Sequence, residues 1–166
     1  GIDIALFSPG ASVSKEMAPI AKQQGAIVID NSSAFRRIEK IPLVVPEVNG
    51  HLITADPGQI IANPNCSTIQ MVVALAPIHA RFGLKRIIVS TYQAVSGGGQ
   101  KGMEELSNKV EALYNHQDVS IQKFPKQIAF NVIPHIDQFQ DNGFSKEEMK
   151  MIWETKKILA DPEIIV

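Results

Sequence analysis

Residues 2–30, IDIALFSPGASVSKEMAPIAKQQGAIVID, decide the fold. An apolar run at 2–7 leads into the turn Ser8-Pro9-Gly10-Ala11-Ser12, then a mixed stretch, a glycine and a second apolar run at 26–30. Short unbroken apolar runs read as strands buried on both faces. The stretch between them predicts a helix to about residue 24, with Ser12 or Ser14 as its N-cap. Gly25 then ends that helix as a left-handed cap. Strand, helix, glycine, strand is the βαβ unit, whose strands run parallel. The second run ends in Asp30-Asn31-Ser32-Ser33, and open α/β sheets bind ligands at the carboxyl ends of their strands.

Working outward, residues 41–48 and 60–61 read as further short extended segments. A helix is predicted from Cys66 to about residue 81, bent near Pro77 and stopped by Gly83. Residues 84–92 (LKRIIVSTY) read as a strand, and the glycine turn after it launches a helix over about 100–115. The mixed stretch 116–140 predicts a strand only near 129–132. Ser145-Lys146-Glu147-Glu148 has the form of a capping box and opens a helix to about residue 159. Asp161-Pro162-Glu163 stops it, and 164–166 begins another apolar strand. The rhythm changes near residue 63, which predicts two subdomains, 1–62 and 63–166. Strand-like residues at both ends predict an internal piece of a longer protein.

The bulk numbers bound the partners. The chain has 166 residues, 45% hydrophobic and 20% charged, a globular composition for about one domain. Sixteen Lys and Arg against seventeen Asp and Glu leave a formal net charge of −1, which gives no support for a nucleic-acid surface. No stretch approaches the roughly 18–20 apolar residues that span a bilayer. A single cysteine excludes an intrachain disulfide and points to a reducing, cytoplasmic setting. None of His51, His79, His116 and His135 fits a metal-ligand spacing, so no metal is predicted.

That cysteine lies in Asn63-Pro64-Asn65-Cys66-Ser67-Thr68, at the predicted start of a helix. The unpaired N–H groups and dipole at a helix N-terminus favour a thiolate and can hold the oxyanion formed when a thiolate adds to a carbonyl. Polar, turn-forming neighbours on both sides make Cys66 a candidate nucleophile, against the alternative of a packed, inert thiol. Gln93 offers a neutral amide suited to orienting a carbonyl or carboxylate; by itself it reads equally as a surface amide. Ser96-Gly97-Gly98-Gly99 lets backbone approach a flat ligand, or is simply a flexible turn. Arg36, beside Arg37 after the second strand, could clamp a phosphate or carboxylate, or be one of a solvated pair. Glu154 and Lys157 share a helix face, as substrate ligands or as a surface ion pair.

These blocks together resemble the aspartate-β-semialdehyde dehydrogenase family over essentially the whole chain. The resemblance is carried by ALFSPGAS at 5–12, VIDNSSAFR at 28–36, PLVVPEVN at 42–49, NPNCSTIQ at 63–70, RIIVSTYQAVSGGG at 86–99, IAFNVIPHID at 128–137 and ETKKIL at 154–159. It implies that Cys66 forms an acyl-thioester, that Asn65 helps to place it and that Gln93 orients the substrate. It further implies that Arg36 and Lys157 bind phosphate and that Glu154 meets the substrate's amino group. Ser96 and Gly97 match NADP-contacting positions, as do Ser8, Gly10 and Ser12.

The implied fold is α/β: part of a Rossmann-like parallel sheet (1–62), followed by part of an α+β catalytic and dimerisation domain (63–166). The implied reaction interconverts L-aspartate 4-semialdehyde plus phosphate with 4-phospho-L-aspartate, using NADP, in a homodimer or homotetramer of lysine, threonine and methionine biosynthesis. The family's first glycine-rich cofactor loop, its substrate arginine and its acid/base histidine have no match in this chain, which predicts that the chain alone lacks turnover. Alternatives are a related acyl-phosphate reductase of the N-acetyl-γ-glutamyl-phosphate reductase or glyceraldehyde-3-phosphate dehydrogenase type, or a non-catalytic oligomerisation module.

Overall fold

The structure is a computed structural model that describes residues 1–118 and 120–166. Strand β1 (Ile4–Phe7), helix α1 (Ala11–Gln23) and strand β2 (Ile27–Asp30) form the expected βαβ unit, and β3 (Ile60–Ala62) completes a three-stranded sheet. Strand β1 is not buried on both faces as its apolar run predicts, since Ile4 is 59% and Leu6 78% exposed at the sheet edge. The order is β1-β2-β3 with both neighbouring pairs parallel. Ile4 stands beside Ile27 and Val28 beside Ile60, so β2 is the central strand. All three residues of β3 are buried, as a parallel strand covered on both faces must be.

Gly25 ends α1 at φ +88°. The Ala26 N–H reaches back to the Ala21 carbonyl and the Gly25 N–H to that of Lys22, the paired closure of a left-handed glycine cap. The start of α1 corrects the sequence reading. The capping position is Gly10, at φ +96°, with no side-chain cap, and Ser12 and Ser14 lie inside the helix. A glycine in that backbone region turns the chain into the helix before either serine is reached.

Helix α2 (Pro46–Asn49) corrects the extended reading of 41–48. Pro46 presets a helical φ in the first turn, and the buried Asn49 side chain closes it, accepting from the Val45 N–H and donating to the Leu43 carbonyl. Only the stretch before Pro46 stays extended, where Leu43 pairs with Ala62.

Helix α3 (Cys66–Phe82) begins at the cysteine, and its cap residue Gly83 has φ +69°. The core gathers Ala18 of α1, Val28, Ile60 and Ala62 of the sheet, Phe35, Leu43 and Val45 of the connecting loops, Val72 of α3 and Ile158. Helix α5 (Lys146–Ile158) carries Ile158 and packs on α3.

The segment 84–92 forms no strand; it makes one parallel bridge, between Arg86 and Ile165. Apolar β-formers make a strand only where a neighbouring strand supplies hydrogen bonds, and Ile88 is left 81% exposed. The expected strand near 129–132 is a turn, with the Asn131 N–H on the Ile128 carbonyl and Phe130 at φ +55°.

The chain divides into two compact units, Gly1–Val89 with Lys146–Val166, and Ser90–Ser145. In the second, a 3₁₀ turn at Val95–Gly98 leads into helix α4 (Gln100–Tyr114). Gly102 on α4 lets that turn lie close: a Cβ there would meet the Val95 carbonyl oxygen at 2.9 Å. Glu105, one turn further, accepts the N–H groups of Gln122 and Lys123 and ties that loop to the helix.

Candidate active site

Asn63 leaves β3 with its N–H on the Asp30 carbonyl and its side chain on Asn31 Oδ1 at 2.7 Å. The turn that follows therefore sits at the carboxyl end of β2. Asn65, with extended backbone (φ −62°, ψ 142°), is the N-cap of α3. Its Oδ1 accepts from the Ser67 N–H at 3.0 Å and the Thr68 N–H at 3.4 Å. Two of the N–H groups orphaned at a helix start are thereby satisfied. Cys66, the first helical residue, is exposed.

Asn65 is also gripped from α5. Its backbone N–H donates to Glu154 Oε2 at 2.6 Å and its Nδ2 to Glu147 Oε1 at 2.9 Å. The other Glu154 oxygen pairs with Arg36 Nη1 at 3.2 Å. Arg36 also donates Nη2 to the Asn31 carbonyl at 3.1 Å, while its Nε is buried with no partner. Glu154 is 4% exposed. Burial pushes its carboxyl above the ordinary range, opposed by the Asn65 hydrogen bond and by the charges of Arg36 and Lys150. The pull of these partners keeps a buried carboxylate tolerable.

Lys157, one turn beyond Glu154, donates to three carbonyls: Arg36 at 3.0 Å, Ile38 at 2.7 Å and Ile41 at 2.8 Å. All three ammonium hydrogens are thus used to hold the loop that carries Arg36. Burial lowers its pKa, opposed by the charge of Glu39. Glu154 and Lys157 are therefore not a surface ion pair; each reaches a different part of residues 31–41 or the α3 cap. Arg37, unlike Arg36, turns its guanidinium over the Trp153 ring at 3.9 Å.

The fold thus places Asn65, Cys66, Arg36, Glu154 and Lys157 together on one unit, although 118 residues separate Arg36 from Glu154. Ser8, Gly10 and Ser12 are exposed where β1 hands over to α1. Gln93, Ser96 and Gly97 belong to the second unit. There Gln93 Nε2 lies 3.4 Å from Thr91 Oγ1, and Ser96 and Gly97 form part of the 3₁₀ turn. A Cβ on Gly10, Gly97 or Gly99 would meet nothing within 4 Å, so backbone is open to a flat ligand at both places. Among the described residues no group of three or more His, Cys, Asp or Glu could hold a metal ion, and no helix is long and apolar enough to cross a membrane.

Sequence reasoning missed Glu147. The signal was available: Glu147 and Glu154 are two helical turns apart and share a face of α5, but a capping-box reading assigned the Glu147 region to the helix end alone.

Two family models match the chain: the semialdehyde dehydrogenase NAD binding domain over residues 1–55 and the semialdehyde dehydrogenase dimerisation domain over residues 75–166. The chain is 55% identical to an aspartate-semialdehyde dehydrogenase of Legionella pneumophila over 99% of this chain and 48% of that protein. It is 56% identical to one of Bacillus subtilis (strain 168), over 100% of this chain and 50% of the relative. The crystal structure of aspartate semialdehyde dehydrogenase II complexed with ASA from Vibrio cholerae superposes with a TM-score of 0.91 at 53% identity, covering 99% of this chain and 49% of that one. The Candida albicans enzyme with NADP superposes at a TM-score of 0.65 and 29% identity, covering 95% of this chain and 39% of that one. The chain spans about half the length of the relatives it matches. With a family model covering more than half of its residues, the chain belongs to the semialdehyde dehydrogenase family.

Proposed function

We propose that the protein carrying this chain interconverts L-aspartate 4-semialdehyde plus phosphate with 4-phospho-L-aspartate through a thioester on Cys66. The observation that carries this reading is the exposed thiol on the first residue of a capped helix, in a chain similar to aspartate-semialdehyde dehydrogenases.

In the oxidative direction the Cys66 thiolate adds to the aldehyde carbon, and the carbonyl oxygen gains negative charge beside the α3 N-terminus. A nicotinamide cofactor, NADP in this proposal, would be held by Ser8, Gly10, Ser12, Ser96 and Gly97 and would supply the hydride acceptor for that carbon. A phosphate oxygen then attacks the resulting thioester and the thiolate leaves, a role suited to sulfur, which is both nucleophile and leaving group near neutral pH.

Arg36 is proposed to bind phosphate, with Lys157 as the second cation acting from behind the 36–41 loop. Glu154 is proposed to meet the substrate's amino group, Gln93 to orient the substrate, and Asn65 to place the thioester. Ser8, Gly10, Ser12, Ser96 and Gly97 are proposed to contact the cofactor; open space at Gly10 and Gly97 supports this. Residues 1–62 then belong to the cofactor-binding domain and 63–166 to the catalytic and dimerisation domain of a cytoplasmic homodimer or homotetramer.

The test is Cys66→Ala in the full-length protein. Acyl-enzyme formation is expected to vanish while NADP still binds. A variant that keeps turnover refutes the proposal. A substrate panel of aspartyl, N-acetyl-glutamyl and glyceraldehyde phosphates separates it from the related reductases.

A further inference from the structure

Asn65 is held at every polar position it has. Glu154 takes its backbone N–H, Ser67 and Thr68 give their N–H groups to its Oδ1, and Glu147 takes its Nδ2. The two carboxylates come from one face of α5 and are 8% and 4% exposed. Burying carboxylates carries a heavy desolvation cost before their partners are counted, so packing α5 on α3 by apolar contact alone would be the cheaper interface. What the carboxylates add is direction.

A side-chain amide has nearly the same shape in its two flipped states, and only its partners choose between them. A carboxylate can only accept, so Glu147 requires Nδ2 on its own side and sends Oδ1 toward the helix N–H groups. The flipped amide would set Oδ1 against Glu147 and Nδ2 against the N–H groups of Ser67 and Thr68, which is repulsive at both ends. Glu147 is steadied in turn by Lys150 Nζ at 3.0 Å. Oδ1 takes the N–H groups of the second and third helical residues, not that of Cys66, the first.

We propose that Glu147 is a positioning residue for Cys66: by locking the Asn65 amide it fixes the cap on which the cysteine stands. The inference rests on the proposed role of Cys66 and deepens it. Glu147 touches no reacting atom. It acts through Asn65 on the direction of the Cys66 side chain and on the N–H groups available to a developing oxyanion. Misplacing a nucleophile by about 1 Å can cost on the order of 100-fold in rate.

The experiment uses the full-length protein and the variants Glu147→Ala, Glu147→Gln, Asn65→Ala, the Glu147→Ala/Asn65→Ala double variant and Cys66→Ala. Glu147→Ala is expected to slow both single-turnover acylation and alkylation of Cys66 by iodoacetamide about 10-fold or more, with KM for aldehyde and cofactor within about twofold. Glu147→Gln, whose Oε1 can still accept from Nδ2, is expected to recover the rate to within about threefold. Asn65→Ala should reproduce the loss, and the double variant should be no slower than Asn65→Ala alone, because the two residues act in series. A folded, cofactor-binding Glu147→Ala protein with unchanged acylation and alkylation overturns the inference, as do fully additive losses in the double variant. If Glu147→Ala does not fold, wild-type rates in both Glu147→Gln and Asn65→Ala overturn it, and a slow Asn65→Ala beside an active Glu147→Gln supports it. Acyl-enzyme formation that survives in Cys66→Ala overturns the proposed function itself, and so is separable from failure of the inference about Glu147.

Discussion

The Asn65 backbone N–H donates to Glu154 Oε2 at 2.6 Å, tying the residue before the cysteine to a carboxylate 89 positions later in the chain. Through its other oxygen Glu154 also holds Arg36 at 3.2 Å. One buried side chain thus fixes the cap of α3, the loop after β2 and the face of α5 at once. The consequence is that the candidate nucleophile and the candidate phosphate ligand share a support, and disturbing α5 disturbs both.

Glu154→Ala in the full-length protein removes the acceptor for a buried N–H and leaves the Arg36 guanidinium, 11% exposed, without its counter-charge. Breaking a buried pair by deleting one partner costs roughly 3–5 kcal/mol; because Arg36 keeps its bond to the Asn31 carbonyl, the low end, about 3 kcal/mol, is expected in urea unfolding. Glu154→Gln retains an acceptor for the Asn65 N–H and should cost less than half of that. Equal losses in both variants would show that charge, not hydrogen bonding, is what Glu154 contributes.

The raised Glu154 pKa fixes a direction for pH dependence. A carboxyl that titrates higher in the folded chain than its ordinary value of 4.5 binds protons more tightly folded than unfolded. Its contribution to stability therefore falls as pH rises from about the ordinary value and levels off once the folded carboxyl has ionised. The unfolding free energy of the wild type minus that of Glu154→Gln is expected to decline across that window and stay flat above it. A difference that instead grows with pH would mean that Arg36 and Asn65 outweigh burial.

Lys157→Met keeps the aliphatic stem and deletes the three hydrogen bonds to the carbonyls of Arg36, Ile38 and Ile41. The three carbonyls are partly exposed and can be rehydrated, so global stability should fall by only about 2 kcal/mol. The sharper effect is local: amide exchange across residues 36–41 is expected to accelerate while that of β2 stays unchanged. Unchanged exchange in the loop would show that Phe35 and Ile41 alone hold it.

Gly102→Ala tests the close approach in the second unit. Alanine in a helix interior is favoured over glycine by about 1 kcal/mol, but the new Cβ would stand 2.9 Å from the Val95 carbonyl oxygen and 3.3 Å from Phe124 Cζ. A backbone oxygen cannot swing aside as a side-chain tip can, and overpacking of this kind costs roughly 1–3 kcal/mol. The net expectation is destabilisation by about 1 kcal/mol, read as a lower Tm. A raised Tm would mean that the 3₁₀ turn yields at no cost.

Much of this was legible in the residues. Alternating apolar runs and Gly25 specify the βαβ unit, because strand burial and a left-handed cap are local demands. The NPNCST block places a helix start at Cys66 for the same reason: the Asn65 side chain caps it by accepting the N–H groups of Ser67 and Thr68. The misreadings have separate physical causes. Residues 84–92 carry strand-forming side chains, yet within the described residues their ladder amounts to the Arg86–Ile165 bridge. Residues 46–49 look extended until Pro46 and the buried Asn49 side chain turn them into a helix.

From the order of its side chains alone, the chain determined its parallel sheet, its helix starting at the lone cysteine and its family resemblance, all consequences of periodicity, caps and short motifs. Tertiary structure decided what Glu147, Glu154 and Lys157 do. On an isolated helix they are ordinary charges at neighbouring turns, and only the packing of α5 against α3 and the 31–41 loop removes water from them. Buried Glu147 and Glu154 must find partners in the protein, and half-buried Lys157 finds them too; those within reach are the Asn65 amide, Arg36 and three loop carbonyls.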